Sequence, residues 1–386
     1  MNTKLSVAIC LAILLLGASC ANWAVLVAGS DGFHNYRHQS DVFHAYQALI
    51  KKGMDKSKII VMAYDDIAKD LYNPVRGKVF NKPSYKEAGV DVYEGVAIDY
   101  RAHEVTPAIF KDVLLGNKSA VSGKGTGRVL ESTSADNVFV FFCDHGATGL
   151  IAFPNSYLYA NDFITILNSM RGRYNKLVFY LEACESGSMF VNLTTSSKIY
   201  ALSAANTSES SWATYCAPDD VVGGKHIGSC LGDLFSISFI EDIDNSDIST
   251  ETLDVQFGKV KARTNLSMVL QWGDTSFIRD VVGSFIGKPA SLRRASKAVP
   301  EIREPAKMKP YFAKINFLAN QHRLNPSFDN RHKLMAEMRS MQLFDNLFFL
   351  LKDRLALSGM VDPTAINFDC LKSSVEYIEI RCGKLS

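Results

Sequence analysis

Two short apolar runs, each followed by a reactive side chain, constrain this chain more than any other feature. Residues 138–143 precede His145, and residues 177–181 precede Cys184. Runs of this length that are rich in Val, Phe and Tyr are typical of buried strands. A cysteine and a histidine held close together form a nucleophile and its base, so this pair is the first candidate for chemistry.

The segment between the two runs predicts how they meet. Residues 161–171 carry apolar side chains at helical spacing, namely Phe163, Ile166, Leu167 and Met170. Strand, helix and strand in this order form a βαβ unit with parallel strands. His145 and Cys184 therefore leave the predicted sheet at the same, carboxyl-terminal edge, where open α/β sheets place their sites.

The rest of the chain continues the alternation and predicts an α/β fold, a mostly parallel sheet with helices on both faces. Further strands are predicted at 23–29, 59–64 and 199–204, and further helices at 38–52, 105–115, 231–242 and 251–263. Residues 66–104, rich in Pro, Gly and Tyr, predict a long ordered loop.

Composition divides the chain into four parts. Lys4, a following apolar stretch and small residues near Cys20 predict a signal peptide at 1–20, and no later stretch is long enough to span a membrane. Residues 21–286 form the α/β domain. A Pro-, Lys- and Arg-rich segment at 287–312 predicts an exposed linker, and 313–386 predicts a small all-α domain with its strongest helix at 331–357.

The overall charge and the secretory route limit the partners. A net charge of +2 is too small to predict a nucleic-acid partner. Secretion makes four Asn-X-Ser/Thr sites usable for glycosylation, namely Asn117, Asn192, Asn206 and Asn265. We expect two or three of them at most to be occupied.

The cysteines do not form a disulfide scaffold or a metal motif. Pairing of Cys216 with Cys230, and of Cys370 with Cys382, stays open at this point. Cys143 lies inside an apolar strand, which favours a buried, inert thiol. Neither CxxC nor HExxH occurs, so no metal site is expected, and two Gly-rich stretches lack a phosphate-binding fingerprint, so no cofactor is expected.

General chemistry assigns roles to the reactive pair. His145 either takes the proton of the Cys184 thiol during attack or holds it as an imidazolium–thiolate pair. The backbone N–H groups of Cys184 and Gly146 are expected to stabilise an acyl oxyanion.

Several motifs in register resemble the legumain family of asparaginyl endopeptidases, which are caspase-like cysteine proteases. The resemblance runs from residue 23 to about 286 and rests on these motifs: Asn35-Tyr36-Arg37-His38, Tyr64-Asp65-Asp66, Asp144-His145-Gly146, Glu182-Ala183-Cys184-Glu185-Ser186-Gly187 and Leu231-Gly232-Asp233. It implies a caspase-like sheet, a nucleophilic Cys184, a catalytic His145 and an Asn35 that orients the histidine. It also implies a pocket for the substrate Asn side chain, formed by Arg37, Glu182 and Asp233 with His38 and Ser211 nearby. The same residues are also consistent with a buried ion cluster that has only a structural role.

The resemblance further implies a zymogen whose helical tail covers the site, although this tail is shorter than in animal members and has only two cysteines. We expect acid to weaken carboxylate contacts of the tail, followed by self-cleavage after Asn320 or Asn330, whereas Asn325 precedes a proline and resists. Expected partners are protein substrates with Asn, or Asp at acidic pH, at the cleavage site, and cystatin-type inhibitors. A lysosome-like or vacuole-like compartment, the cell surface and secretion are the expected locations.

Three alternatives remain from the sequence. The catalytic subunit of GPI transamidase shares the Asn-Tyr-Arg-His stretch, but Asp144 and the residues flanking Cys184 differ from its pattern. A ligase-biased member would pass the acyl group to an amine instead of water. A secreted binding protein could keep the fold without catalysis, against which an intact Cys184, His145 and pocket argue.

Overall fold

The computed structural model describes residues 20–287, 304–354 and 368–382. Nearly all of the expected signal peptide and most of the expected linker lie outside the described residues. Cys20, at the expected cleavage point, is exposed.

A six-stranded sheet is the centre of the fold, and its strands lie in the order β13 (Leu270–Gly273), β8 (Ile199–Ser203), β7 (Lys176–Glu182), β3 (Asn137–Cys143), β1 (Asn22–Ala28) and β2 (Ile59–Met62). Five of its strands are parallel, and β13 pairs antiparallel with β8 at one edge. The strands of the structure are β1 Asn22–Ala28, β2 Ile59–Met62, β3 Asn137–Cys143, β4 Gly146–Ala147, β5 Leu150–Phe153, β6 Ser156–Tyr159, β7 Lys176–Glu182, β8 Ile199–Ser203, β9 Ala213–Thr214, β10 Val221–Val222, β11 Lys225–His226, β12 Gly232–Asp233, β13 Leu270–Gly273 and β14 Lys307–Met308.

Helices cover both faces of this sheet, which confirms the predicted α/β class. The helices are α1 Tyr36–Lys51, α2 Pro107–Leu114, α3 Ala160–Ser169, α4 Leu234–Asn245, α5 Leu253–Arg263, α6 Gly283–Ile286, α7 Ala313–Leu324, α8 Phe328–Arg354 and α9 Phe368–Cys382. Phe139 and Phe141 of β3 pack with α1, α4, α5 and α6 on one face. Val138 and Val140 pack with α2 and α3 on the other, as the two-residue period of a strand requires.

The alignment of β3 with β7 positions the reactive residues. The two strands are parallel, and Cys143, the last residue of β3, lies opposite Glu182, the last residue of β7. His145 and Cys184 each follow two residues later. The strand register therefore confirms that His145 and Cys184 leave the sheet at the same edge.

Some elements differ from the sequence expectations. The predicted helix at 231–242 begins at Leu234, because Gly232 and Asp233 pair with β9 as the strand β12. Two small sheets, β4-β5-β6 and β12-β9-β14, and the edge strand β13 were not predicted. Cys216 and Cys230 form a disulfide, which settles one of the two open pairings, whereas the Cys370–Cys382 pairing stays a prediction.

The described residues after 304 are mainly helical apart from β14, and they contact the α/β domain at several points. β14 extends the small sheet by pairing with β9, and Phe317 of α7 packs against the rings of Phe33 and Tyr72. Lys372 of α9 forms an ion pair with Asp162 of α3 at 2.8 Å. Within the described ranges, no helix is both long enough and apolar enough to cross a membrane.

Candidate active site

A tight turn presents Cys184 just beyond β7. Glu185 adopts a positive φ of 49°, a conformation that is strained for a residue with a side chain, and a 3₁₀ helix follows at Ser186–Phe190. The N–H of Glu185 donates to the carbonyl of Glu209 at 2.8 Å. Cys184 is half-buried, and its Sγ lies 3.7 Å from Ser211 Oγ.

The orientation of the His145 ring is fixed by Asn35. His145 Nε2 lies 2.9 Å from Asn35 Oδ1, and Asn35 Nδ2 donates to the carbonyl of Asp31 at 3.0 Å. Because the amide nitrogen of Asn35 donates to Asp31, the amide oxygen faces the imidazole and accepts a hydrogen bond from the Nε2–H group. His145 Nδ1 then keeps its lone pair and can accept the proton of a thiol.

Gly146 lets the two strand ends touch. A Cβ atom built on Gly146 would lie 2.5 Å from the carbonyl oxygen of Cys184 and 3.0 Å from Cβ of Ala183. Only a residue without a side chain fits this approach. The backbone of the histidine segment therefore lies directly against the backbone of the nucleophile.

Burial keeps the reactive pair uncharged before substrate arrives. Loss of hydration, with the nearby Arg37 charge, lowers the pKa of His145 to about 3. Burial and the Glu185 charge raise the pKa of Cys184 to about 11. Of the two protonation schemes expected from sequence, the structure favours a neutral thiol whose proton moves to a neutral imidazole during attack.

The expected pocket residues also come together, around Arg37. Arg37 Nε donates to Asp233 Oδ1 at 2.9 Å, and both side chains are fully buried. Glu182 Oε2 accepts from both the backbone N–H and the hydroxyl of Ser236, at 3.0 and 2.9 Å. Among the described residues, neither Arg37 Nη2 nor Glu182 Oε1 has a hydrogen-bond partner, although both atoms are buried. One unused donor and one unused acceptor thus lie in the same buried group.

The carboxyl groups around Arg37 repel one another and resist ionisation. Burial, followed by the charge of Asp233, raises the pKa of Glu182 to about 8. Burial also raises the pKa values of Asp41, Asp144 and Asp233, in the last case against the opposing pull of Arg37. The group therefore prefers to keep protons at neutral pH.

Three residues of this site were missed in the sequence. Asp41 accepts from the backbone N–H of Asp233 at 2.9 Å, Ser236 binds Glu182, and Ser30 Oγ lies 2.6 Å from His38 Nδ1. Asp41 follows Arg37 by four residues on α1, so helical spacing alone places both on one face. No comparable signal marks Ser30 or Ser236.

The other predicted residues lie apart from the reactive pair. Asn117, Asn192 and Asn265 are exposed and Asn206 is half-exposed, so all four sequons lie at the surface. Asn320 of α7 is buried, and Asn330 of α8 is half-buried with Nδ2 donating to the carbonyl of Asn325 at 2.9 Å.

The sequence comparisons with known proteins agree on one family. A model of the peptidase C13 family matches residues 22–288. The chain is 40% identical over 402 residues to a vacuolar-processing enzyme of Citrus sinensis, covering 94% of this chain and 78% of that protein. It is 46% identical over 268 residues to legumain of Mus musculus, covering 69% of this chain and 59% of that protein.

One solved structure with a similar course of the chain is a caspase-1 of Spodoptera frugiperda. It has a TM-score of 0.41 and 8% sequence identity, and the alignment covers 70% of this chain and 92% of that one.

The contact at Gly146 predicts a sensitive substitution. Gly146→Ala should lower peptidase activity by at least about 100-fold, because displacing the nucleophile by about 1 Å has effects of that size. Activity and thermal unfolding would be measured together. Gly258→Ala, in α5 with open space around the new methyl group, is the matched control and should keep full activity. Equal activity of both variants would contradict the contact.

The raised carboxyl pKa values predict a pH-dependent stability. Glu182 has a folded pKa of about 8 against an ordinary value of 4.5, so the stability that it contributes in its neutral form is lost as pH rises through 8. The lowered pKa of His145 acts in the opposite direction, but only below its ordinary value of 6.5. Between pH 6.5 and 8, the urea midpoint of unfolding should therefore fall.

Glu182→Gln tests the source of this effect. The neutral amide has nearly the same shape and cannot ionise, so the fall of the midpoint between pH 6.5 and 8 should become smaller. Both chains would carry Cys184→Ala to prevent self-digestion. Identical pH profiles for the two would show that Glu182 does not hold its proton in the folded protein.

Proposed function

This chain belongs to the peptidase C13 family, and we propose that it is an asparaginyl cysteine endopeptidase in which Cys184 is the nucleophile and His145 its base. The observation that carries the proposal is the buried pair of unused atoms, Arg37 Nη2 and Glu182 Oε1, beside the reactive residues.

The reaction follows from the geometry of the pair. His145 Nδ1 takes the thiol proton as Cys184 Sγ attacks the scissile carbonyl, and Asn35 holds the ring in the orientation that this step needs. Backbone N–H groups of Cys184 and Gly146 stabilise the developing oxyanion. The imidazolium then gives its proton to the leaving amine, and water, deprotonated by His145, releases the acyl group from sulfur.

The pocket explains a preference for asparagine. An asparagine side chain has one carbonyl acceptor and one NH₂ donor. Arg37 Nη2 donates to the carbonyl. A bound NH₂ donor favours the ionised form of Glu182, so Glu182 releases its proton when the substrate binds, and Oε1 accepts from the NH₂ group. Glutamine carries the same amide one methylene further out, so both hydrogen bonds cannot form without displacing the peptide.

The region after residue 304 supports a zymogen. It contacts both segments that flank the pocket, because Phe317 packs on Phe33 and β14 pairs with β9 immediately after Ser211. Asn320 on α7 is buried, so cleavage there requires the tail to loosen first. Glu304 accepts from Asn265 Nδ2 at 2.9 Å, and its hydrogen bonds with Lys307 and Asn265 lower its pKa, so this contact weakens only when acid protonates Glu304.

The names of the relatives support a vacuole-like or lysosome-like compartment reached through the secretory route. The proposal also includes a cleaved signal peptide, glycans on the surface asparagines, an acid-activated tail and inhibition by cystatin-type proteins. Cell-surface and secreted forms fit the same route.

Short fluorogenic peptides test the activity. After acid incubation, a peptide with Asn before the scissile bond should be cleaved roughly 100-fold faster, in kcat/KM, than its Gln or Lys counterparts. The Cys184→Ala protein, prepared in parallel, should show no cleavage. Inactivity of a protein that has lost its tail would contradict the proposal and favour a transamidase or a non-catalytic protein.

N-terminal sequencing tests the activation step. The released tail should begin at Gln321 or Arg331, and Asn320→Gln combined with Asn330→Gln should stay full-length at acidic pH. Asn325→Gln is the matched control, because Pro326 follows it, and should be processed normally. Cuts confined to Lys or Arg would contradict self-cleavage.

A further inference from the structure

A second cluster of reactive side chains lies at the end of β3, next to the Arg37 group. His38, Cys143 and Asp233 are all buried, and their ligand-type atoms lie within 4.8 Å of one another. We propose that these three side chains bind a thiophilic divalent cation such as Zn²⁺. The proposed mechanism of peptide cleavage makes no use of Cys143.

The spacing of the three ligand atoms fits tetrahedral coordination. Asp233 Oδ2 lies 3.6 Å from Cys143 Sγ and 3.7 Å from His38 Nε2. Ligand atoms bound to zinc at about 2.0–2.3 Å lie roughly 3.3–3.8 Å from one another in a tetrahedron. The third pair of ligand atoms, on Cys143 and His38, lies within 4.8 Å, so the side chains need only a small shift to enclose an ion. Thiolate, imidazole and carboxylate together are a ligand set that zinc accepts.

The surroundings of His38 resemble the outer shell of a metal site. Its Nδ1 faces Ser30 Oγ at 2.6 Å and Asp144 Oδ1 at 3.3 Å, which leaves Nε2 for an ion. A carboxylate behind the second ring nitrogen orients a ligating histidine and increases its basicity. Apart from this approach to His38, neither oxygen of the buried Asp144 has a hydrogen-bond partner in the described part of the chain.

Local charge also favours a cation. The carboxyl groups of Asp41, Asp144, Glu182 and Asp233 are all buried in this region, and Arg37 pairs with the last of them. Arg37 occupies only Oδ1 of Asp233 and leaves Oδ2 facing the thiol. Asp41 Oδ2, 3.7 Å from Cys143 Sγ, adds a further oxygen near the cluster. On binding, the Cys143 thiol and, where it is protonated, the Asp233 carboxyl release their protons to the solvent, and the divalent ion offsets the negative charge that these ligands then carry.

The site would act on peptide cleavage through Asp233. This consequence rests on the proposed function, in which Asp233 holds Arg37 for the substrate amide. An ion on Oδ2 draws electron density from the carboxylate and competes with Arg37 for it. Bound Zn²⁺ should therefore raise KM for asparaginyl peptides more than it lowers kcat.

Binding is tested without reference to catalysis, on the full-length chain carrying Cys184→Ala. Titration with Co²⁺, a spectroscopic substitute for Zn²⁺, should produce a thiolate-to-cobalt charge-transfer band. Adding Cys143→Ser, which replaces the thiol by a hydroxyl of similar size, should abolish that band. It should also weaken Zn²⁺ binding, measured by competition with a chromophoric chelator, at least about 10-fold. Circular dichroism would check that the variant folds.

A second variant distinguishes loss of metal binding from a folding defect. Asp144→Asn leaves the three ligands in place and removes the carboxylate behind His38, so the band should persist with affinity weakened about 10-fold. The absence of a thiolate band in the Cys184→Ala chain, or an identical band after Cys143→Ser, would overturn the proposal. Neither outcome depends on whether the protein cleaves peptides.

Discussion

The parallel pairing of β3 with β7 is the constraint on which the rest of this structure depends. It aligns the last residues of two strands that are distant in sequence, and the side chains that follow them need only one short turn each to meet. The contact between Gly146 and the backbone of Cys184 completes this alignment at atomic scale. The sheet register therefore brings the reactive residues to this edge, and the loops that follow the strands set their final positions.

A buried charged group beside that edge is costly, and its composition indicates why it persists. Ion pairs without water lose much hydration free energy, and several carboxyl groups around one guanidinium increase that cost. Hydrogen bonds from Ser236 to Glu182 and from Arg37 to Asp233 offset part of it. Two of the atoms left without partners, Arg37 Nη2 and Glu182 Oε1, are atoms that a substrate amide can use, as expected where function and local stability conflict.

Sequence alone predicted the elements with strong apolar periodicity and the residues that carry a family resemblance. The strands around Phe141 and Phe179 and the helix α1 are examples, because their patterns extend over many residues. The two-residue strands β9 and β12 could not be predicted, since their pairing depends on contacts between distant segments. For Asp41, helical spacing from Arg37 gives the face of α1, but the contact that makes it important is with Asp233, which is 192 residues away.

The central claim is that a buried donor and a buried acceptor bind a neutral amide. The pH dependence of selectivity between Asn and Asp substrates tests this claim most directly. The values of kcat/KM would be compared for peptides that differ only in Asn or Asp before the scissile bond, from pH 4 to 7. A protonated Asp has one donor and one acceptor, as Asn has, and its ordinary pKa is about 3.9. The account predicts that the Asn-to-Asp ratio rises about tenfold per pH unit above that value. A ratio that stays constant with pH would contradict it.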